Sequence, residues 1–309
     1  MTIWSEPDFP AGYTIHGKWN GRKYRFERKL GEGANGKVYL VSQGSKRFAL
    51  KLGANTVDLQ SEINIVRKLS NSCKEFKGYL IDADDTESSG KVSSFYVMKY
   101  FRGDSPLHFV SQHGSEWIGI IGIHVLRKLV SLHQMGYCFG DLKMENLITT
   151  AYGDVELIDF GGVTEIGNGV RQFTEWYDRG SWGAGSRKAD EQYDLFSFAI
   201  ICCQLAGTKH SLLGPQLLPQ NRTLELLEDE LERNPGLANY KAFLRKAWRG
   251  GFASSREALA HWRKIPLASG RSETRAKTSF LNHWLGAGFA ASVVLFGTAL
   301  YWLWIEGLR

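Results

Sequence analysis

Four short segments of the sequence carry residues whose types and order could bind phosphate and a divalent cation. The first is a glycine run with candidate ATP contacts at Gly31, Glu32, Gly33, Ala34, Asn35, Gly36 and Val38. The others are Lys51 in FALK, DLKMEN at 141–146 and DFG at 159–161. Glycines let backbone N–H groups approach phosphate oxygens, while lysine and carboxylates supply counter-charge and metal ligands. In this order, the four segments match what transfer of the γ-phosphoryl group of MgATP requires.

The glycine run lies between two strand-like stretches, 24–30 and 38–41, and therefore predicts the tip of a β-hairpin. Alone, such glycines most often serve turn geometry. Lys51 ends a strand-like segment and could hold the α- and β-phosphates of ATP. Glu62, on the amphipathic stretch that follows, could pair with Lys51, although eleven residues is a short separation for this pairing.

Asp141 and Asn146 lie on a loop between a helical pattern at 117–136 and the strand-like LITT. Their spacing lets Asp141 accept a hydroxyl proton while Asn146 ligates Mg²⁺, or Mn²⁺ in its place. Asp159 is expected to add the second metal ligand, since Mg²⁺ prefers oxygen ligands. Each acid alone could be a turn residue or a helix cap, so the prediction depends on all of them occurring together.

These segments resemble the eukaryotic-like (Hanks-type) protein kinases, over about residues 22 to 265. The resemblance implies an α+β, bilobal protein-kinase fold, with an antiparallel β-sheet N-lobe at 22–98, a helical C-lobe at 99–265 and ATP between them. Lys143, two residues after Asp141, is similar to the lysine that reaches the γ-phosphate in the serine/threonine subclass. Asp141 and Lys143 are therefore the expected catalytic residues, and protein Ser/Thr hydroxyls the expected acceptors.

The same resemblance assigns further roles around the site. Met98 corresponds to the gatekeeper, and the backbone of Lys99 and Phe101 is expected to meet adenine. Asp194 resembles the buried helix aspartate that braces the catalytic loop, and His133 a structural histidine before that loop.

Two departures from the family pattern concern activation. Phe139 and Gly140 stand where the family has His-Arg, and glycine cannot grip a phosphorylated activation loop as arginine does. The Ala-Pro-Glu that closes the activation segment is also missing, which leaves the docking of protein substrates open. The candidate autophosphorylation sites of this segment, which the sequence does not rank, are Thr164, Thr174, Tyr177, Ser181 and Ser186.

Several unusual segments, including GKWNG at 17–21, FGDLK at 139–143 and YDRGSWGAGSRKAD at 177–190, are similar to the YabT-type kinases of endospore-forming bacilli. That resemblance implies a small membrane-associated serine/threonine kinase without an extracellular sensor domain, linked to DNA binding in sporulation. The alternative is a non-catalytic scaffold with a kinase fold. The complete catalytic set argues against it, and Lys143 argues against a kinase of small molecules.

The segment 280–305 contains 26 residues without Lys, Arg, Asp or Glu. As a helix it would be about 39 Å long, enough to cross a hydrocarbon core of about 30 Å. The sequence therefore predicts an N-terminal extension at 1–21, the kinase domain at 22–265, a basic juxtamembrane linker at 266–279, one C-terminal transmembrane helix and an outer tail at 306–309. More basic residues precede the span than follow it, which places the kinase in the cytoplasm. Small residues such as Gly286 and Ala290 are compatible with a homodimer.

The net charge of +6 is concentrated between residues 241 and 278, where ten Lys and Arg face two Glu. Three interpretations remain open: topology and solvated helix faces, attraction to anionic membrane lipid, and binding of DNA phosphates. Trp248 and Trp262 could add stacking on single-stranded bases, and DNA could supply the missing trigger. The candidate contacts are Lys241, Arg245, Lys246, Arg249, Arg263, Lys264, Arg271, Arg275 and Lys277.

Overall fold

A computed structural model of the chain describes residues 9–33, 35–88, 90–207 and 217–266. All of them belong to one compact unit, Met1–Ala268. Outside the described residues lie the segment predicted to span the membrane and the candidate site residues Ala34, Arg271, Arg275 and Lys277. Within the described ranges, no helix combines the length and apolar character needed to cross a membrane.

The N-lobe is an antiparallel sheet with strand order β1-β2-β3-β4-β6-β5. Its strands are β1 (Thr14–His16), β2 (Lys23–Gly33), β3 (Gly36–Gln43), β4 (Lys46–Gly53), β5 (Leu80–Ser88) and β6 (Lys91–Lys99). The sheet thus begins in the segment that the sequence assigns to an N-terminal extension. After β1, the N–H of Lys18 donates to the carbonyl of Asp85 on β5 (2.7 Å), so the two outer strands are linked.

Helix α1 (Thr56–Ser72) packs on this sheet because its apolar residues recur on one face. The helix begins at the cap Asn55, whose side chain accepts hydrogen bonds from the N–H groups of Val57 and Asp58. Glu62 lies among the buried residues of that face. The amphipathic pattern therefore carries a carboxylate into the interior.

The C-lobe is mainly helical. Its elements are α2 (Pro106–His113), α3 (Trp117–Gln134), β7 (Tyr137–Cys138), β8 (Leu147–Thr149), β9 (Val155–Leu157), β10 (Thr164–Glu165), α4 (Glu191–Leu205), α5 (Leu224–Arg233), α6 (Lys241–Trp248) and α7 (Ser255–Trp262). Helix α4 is buried on nearly all sides, which explains its apolar sequence.

The short hairpin β8–β9 brings the two predicted metal-binding loops together. Leu147 pairs with Leu157, and just before that pair the N–H of Ile158 donates to the carbonyl of Asn146 (2.9 Å). The loop before β8 and the loop after β9 therefore lie side by side. This register places Asn146 close in the fold to Asp159.

Two tryptophans that the sequence offers for stacking on nucleic-acid bases belong to the C-lobe core. Trp248 and Trp262 are each 2% exposed. The indole of Trp262 stacks on Tyr240, with 4.8 Å between ring centroids, and its N–H donates to the carbonyl of Gly119. The expectation that these rings contact bases is wrong, because both rings are buried in the C-lobe core and are not accessible to a ligand.

Candidate active site

A cleft of 1210 Å³ opens between the N-lobe sheet and the helical C-lobe. Two groups of residues that the sequence predicts separately, the ATP contacts and the catalytic and metal-binding residues, line this cleft together. From the predicted ATP contacts, its walls include Gly31, Glu32, Gly33, Asn35, Gly36, Val38, Lys51, Met98, Lys99 and Phe101. From the predicted catalytic and metal-binding residues, they include Asp141, Lys143, Asn146 and Asp159.

Lys51 is the centre of a buried ion-pair network. Its Nζ lies 2.9 and 2.8 Å from the two carboxylate oxygens of Glu62, and 2.8 Å from Oδ1 of Asp159. Burial alone would lower the pKa of Lys51, but the charges of Glu62 and Asp159 outweigh it and raise that pKa. The short sequence separation of Lys51 and Glu62 is therefore compatible with direct pairing.

Neighbouring groups hold Glu62 in place. Oε1 accepts the hydroxyl of Tyr96 (2.8 Å) and the N–H of Phe160 (3.1 Å). The Phe160 ring is buried against Phe76, Tyr79 and Phe139. Helix α1, the sheet and the loop after β9 therefore converge on one carboxylate.

Asp159 has a backbone φ of 62° and a ψ of 88°. Among the described residues it is the one non-glycine residue with positive φ. Such conformations occur where surrounding structure imposes them, often at functional sites. Lys51 offsets burial and lowers the pKa of Asp159, so its carboxylate is charged at neutral pH.

The residues expected to meet adenine lie at the end of β6 and just after it. The N–H of Lys99 donates to the carbonyl of Tyr79 (2.9 Å), so this N–H is not available to a ligand. Met98 is 6% exposed behind it, and Phe101 lies beside it with the ammonium of Lys99 5.2 Å from its ring centroid. All three residues line the cleft, where a flat aromatic base could pack against them.

Asp141 already interacts with a protein hydroxyl group. The Thr174 hydroxyl donates to Oδ1 of Asp141 (2.9 Å) and accepts from Nζ of Lys143 (3.2 Å). Lys143 also lies 2.6 Å from Oδ2 of Asp141. Carboxylate, ammonium and hydroxyl thus form a triangle, in which the carboxylate can take a proton and the ammonium can face a transferred phosphoryl group.

The donors near this triangle fit a hard divalent cation. The amide nitrogen of Asn146 donates to the carbonyl of Asp141 (2.9 Å), which orients the amide and leaves its oxygen for a ligand. Asp159 uses Oδ1 for Lys51, so Oδ2 can serve as a ligand. Both residues line the cleft, and two protein oxygens of this kind are what Mg²⁺ uses together with a nucleotide. When bound, the cation would neutralise charge on the phosphate oxygens.

Asp194 braces the catalytic loop from below. Its two oxygens accept the N–H groups of Phe139 (2.7 Å) and Gly140 (2.9 Å), and Nε2 of His133 lies 2.8 Å from Oδ2. The structure therefore places His133 against Asp194, not in the cleft.

The Phe139-Gly140 departure has a steric cause. Gly140 has a φ of +78°, and a Cβ built there would lie 2.7 Å from the carbonyl oxygen of Gly162. A side chain at this position, arginine included, would need left-handed backbone and would collide with the chain. Phe139 fills the adjoining space by packing on Phe160, with 5.9 Å between ring centroids.

A local network anchors the end of the activation segment in place of the missing Ala-Pro-Glu. Asp178 is fully buried and accepts hydrogen bonds from Tyr193, Arg187 and Ser181. These donors outweigh burial and lower the pKa of Asp178. The next residue, Arg179, forms two bonds with Asp190, at 2.8 and 2.7 Å.

The hydroxyls named as autophosphorylation candidates differ in availability. The Thr164, Tyr177 and Ser181 hydroxyls donate inside the fold, to Gly162, Gln204 and Asp178 respectively. Thr174 is engaged by Asp141 and Lys143. Ser186 lies on an exposed stretch.

Comparison with known proteins agrees with this site. The protein kinase domain matches residues 24–230. The chain belongs to the protein kinase family. It is 39% identical over 250 residues to the serine/threonine-protein kinase YabT of Bacillus subtilis (strain 168), a match that covers 80% of this chain and 72% of that relative.

Eukaryotic relatives are more distant. Identity is 25% over 188 residues with the serine/threonine-protein kinase SMU1 of Mycosarcoma maydis, and 23% over 228 residues with CLA4 of Candida albicans. The chain spans only 25% and 23% of those two proteins. The kinase is thus a bacterial Hanks-type, ATP-dependent serine/threonine protein kinase similar to YabT, as the sequence predicts, and the alternative of an inactive scaffold is not supported.

Some residues of the site carry no signal in the sequence. Tyr96 and Gln172 both line the cleft. Gln172 exchanges two side-chain hydrogen bonds of 2.8 Å with Asn35 at the tip of the glycine run. Contacts across 137 residues follow from the approach of the lobes, which no local pattern encodes.

Proposed function

We propose that this kinase is anchored in the cell membrane by residues 280–305 and phosphorylates Ser and Thr hydroxyls of cytoplasmic proteins. We further propose that it autophosphorylates and that a polyanion, with DNA favoured over anionic lipid, regulates it through the basic segment. The anchor is supported by 26 residues without charge, flanked by basic residues on one side.

The observation that carries the regulatory part is the pairing state of the basic residues. On α6 and at its C-terminal cap, three basic residues form ion pairs with Glu232 or Glu228 on α5: Lys241, Arg245 and Arg249. Lys246 likewise pairs with Glu257 (2.6 Å). Their charges are largely offset within the fold, so α6 is a poor polyanion site.

The basic residues on and just after α7 differ. Arg256, Arg263 and Lys264 are exposed, and none forms an ion pair with another described residue. In sequence they lead directly into Arg271, Arg275 and Lys277. A polyanion would therefore bind at the end of α7 and along the segment that follows.

Such binding offers a trigger that does not need a loop arginine. Because Gly140 cannot grip a phosphorylated loop, concentration of several kinase molecules on one polyanion can replace that switch by promoting phosphorylation in trans. Ser186 is the best-placed acceptor among the activation-segment candidates, since it lies on an exposed stretch.

The test uses the full chain in nanodiscs of neutral or anionic lipid, with and without duplex DNA, and follows radiolabelled phosphate from MgATP. We expect DNA to stimulate transfer in neutral discs, with affinity falling at a log–log slope of about −0.9 per phosphate neutralised. Asp141→Asn serves as the blank. The double variant R263A/K264A should lose stimulation, whereas the matched double variant K241A/R245A should keep it. Stimulation by anionic discs alone would assign the segment to lipid, and transfer indifferent to both would refute the regulatory proposal.

The membrane anchor is tested separately by cell fractionation. The full chain should sediment with membranes and resist extraction by high salt, because insertion is apolar and not electrostatic. A chain that ends before residue 280 should be released. Recovery of the full chain in the soluble fraction would contradict the anchor while leaving the kinase activity untouched.

A further inference from the structure

Glu191, the first residue of α4, lies outside the catalytic set and joins three helices. Its Oε2 accepts both the N–H and the hydroxyl of Ser255, the first residue of α7, with 2.7 Å to the hydroxyl. The same oxygen lies 3.6 Å from Nδ1 of His133 near the end of α3. That distance is an ion pair and not a hydrogen bond, and Nδ1 has no hydrogen-bond partner of its own.

His133 continues this contact to the catalytic loop. Its side chain is 1% exposed, and Nε2 lies 2.8 Å from Oδ2 of Asp194. That same oxygen accepts the N–H of Phe139, and Oδ1 accepts the N–H of Gly140. A continuous chain of polar contacts therefore runs from the start of α7 to the two residues before Asp141.

Helix α7 is held at both ends. Ser254 caps it by accepting the N–H of Glu257 (3.2 Å), and at its last residue Trp262 donates to the carbonyl of Gly119 on α3 (2.9 Å). Arg263 and Lys264 follow at once. A displacement of Arg263 and Lys264 would therefore be passed to α7, a short helix whose first residue contacts Glu191.

We propose that Glu191 is a positioning residue for phosphoryl transfer, which fixes the start of α7 to His133 and so couples the seating of α7 to the geometry of the catalytic loop. This inference rests on the kinase activity of the site, and it does not depend on which polyanion the basic segment binds. Asp141 follows Gly140 directly, so a shift of the loop moves the catalytic carboxylate. Misplacement by about 1 Å can lower a rate by two orders of magnitude.

The charges along this series of polar contacts agree with a positioning role for Glu191. Burial alone would lower the pKa of His133, but Asp194 and Glu191, both on α4, raise it to about 9. His133 first, and the Ser255 donors second, lower the pKa of Glu191 to about 2. Cys138 of β7 stays neutral beside Asp194, because burial raises the pKa of its thiol well above the ordinary value. At neutral pH an imidazolium thus lies between two carboxylates.

The decisive comparison is between Glu191→Gln and Glu257→Gln in the full chain. Glu257 is a second acid at the start of α7, but it contacts Lys246 and Ala253 and not His133. We expect E191Q to lower kcat about tenfold with KM for ATP changed less than twofold. We also expect the basic limb of its kcat–pH profile to move to lower pH by about one unit, because His133 has lost a carboxylate. E257Q should match the wild type in kcat, in KM for ATP and in the position of the basic limb.

Ser255→Ala provides a second variant that leaves every charge in place. It removes one donor to Glu191, so we expect a loss of kcat of about threefold and an unshifted basic limb. An E191Q enzyme whose kcat and pH profile match those of E257Q would overturn the proposal. If E191Q does not fold, S255A with wild-type kcat would overturn it. A parallel loss of ATP binding and melting temperature, without a separate effect on kcat, would also do so, because it would indicate a purely structural role.

Discussion

At the scale of single residues, the Thr174 hydroxyl tests the arrangement of Asp141 and Lys143. It hydrogen-bonds to both side chains and would keep the carboxylate and the ammonium in position when a substrate hydroxyl approaches. We expect Thr174→Ala to lower kcat about tenfold at nearly constant KM for ATP, and Thr174→Ser to restore most of it. Steady-state kinetics on a generic basic protein substrate would measure this. Equal loss in T174S and T174A would show that the hydroxyl is not the group that matters.

Gly140 offers a second test at a single residue, with a matched control in the same chain. An alanine there must adopt a φ of +78° and meet the carbonyl of Gly162. At the β3–β4 turn, Gly44 has a φ of +60° but nothing within 4 Å of its built Cβ. We expect Gly44→Ala to cost about 1 kcal/mol and leave kcat unchanged, and Gly140→Ala to cost about 3 kcal/mol and lower kcat strongly. Denaturant unfolding and kinetics measure both, and equal effects would refute the steric account.

The raised pKa of His133 predicts how the free energy of unfolding depends on pH. Its pKa is about 9 in the folded chain against an ordinary value of 6.5. Below pH 6.5, His133 is protonated in both the folded and the unfolded chain, and its full contribution to the free energy of unfolding is present. That contribution falls as the pH rises and is lost by about pH 9, where the folded group also loses its proton. The decline should amount to about 3 kcal/mol in the free energy of unfolding. Denaturant titrations from pH 6 to 8, below the range in which the buried thiols of the unfolded chain ionise, should show this decline in the wild type and a much flatter curve in His133→Asn.

At the scale of elements, the sequence predicts those parts whose pattern is local. The apolar run at 117–136 becomes α3 (Trp117–Gln134), and the glycine run becomes the tip between β2 and β3. The prediction for the tryptophans of α6 and α7 is wrong because helix periodicity shows which face is apolar but not whether a neighbouring element covers that face. Trp262 is buried by Tyr240 and by α3, which a sequence pattern does not reveal.

The activation segment is the element whose role was least predictable, since its anchor is not the family motif. Removal of the Asp178 carboxylate would leave the buried hydroxyl of Tyr193 without its acceptor and would also take away the acceptor of Ser181 and of the partly exposed Arg187. We expect Asp178→Ala to lower the free energy of unfolding by about 3 kcal/mol. Tyr193→Phe removes one donor only and should cost about 1 kcal/mol. Thermal and denaturant unfolding test the ratio, and similar losses in both variants would mean that Asp178 is not the hub.

At the scale of the whole molecule, the kinase depends on contacts that close the cleft from both sides. Lys51 on β4 reaches Asp159 of the C-lobe, and the activation segment touches the N-lobe twice. Gln172 meets Asn35 at the glycine tip, and Arg171 donates to the hydroxyl of Ser61 on α1 (2.9 Å). The motifs place both residues of the first link in one site, although they do not predict the direct contact between them. The other two depend on how a loop of this length crosses the cleft.

These two bridges should hold α1, and with it Glu62, in the paired position. We expect the double variant R171A/Q172A to increase amide hydrogen exchange in α1 and to lower kcat several-fold, because Lys51 then loses its partner more often. Arg67→Ala is the matched control, since Arg67 also lies on α1 but bonds only locally, to Asn64. Hydrogen exchange read by mass spectrometry separates the cases. If α1 exchanges at the same rate in both variants, the activation segment does not restrain the N-lobe, and the Lys51–Glu62 pair is maintained by the core packing of α1 alone.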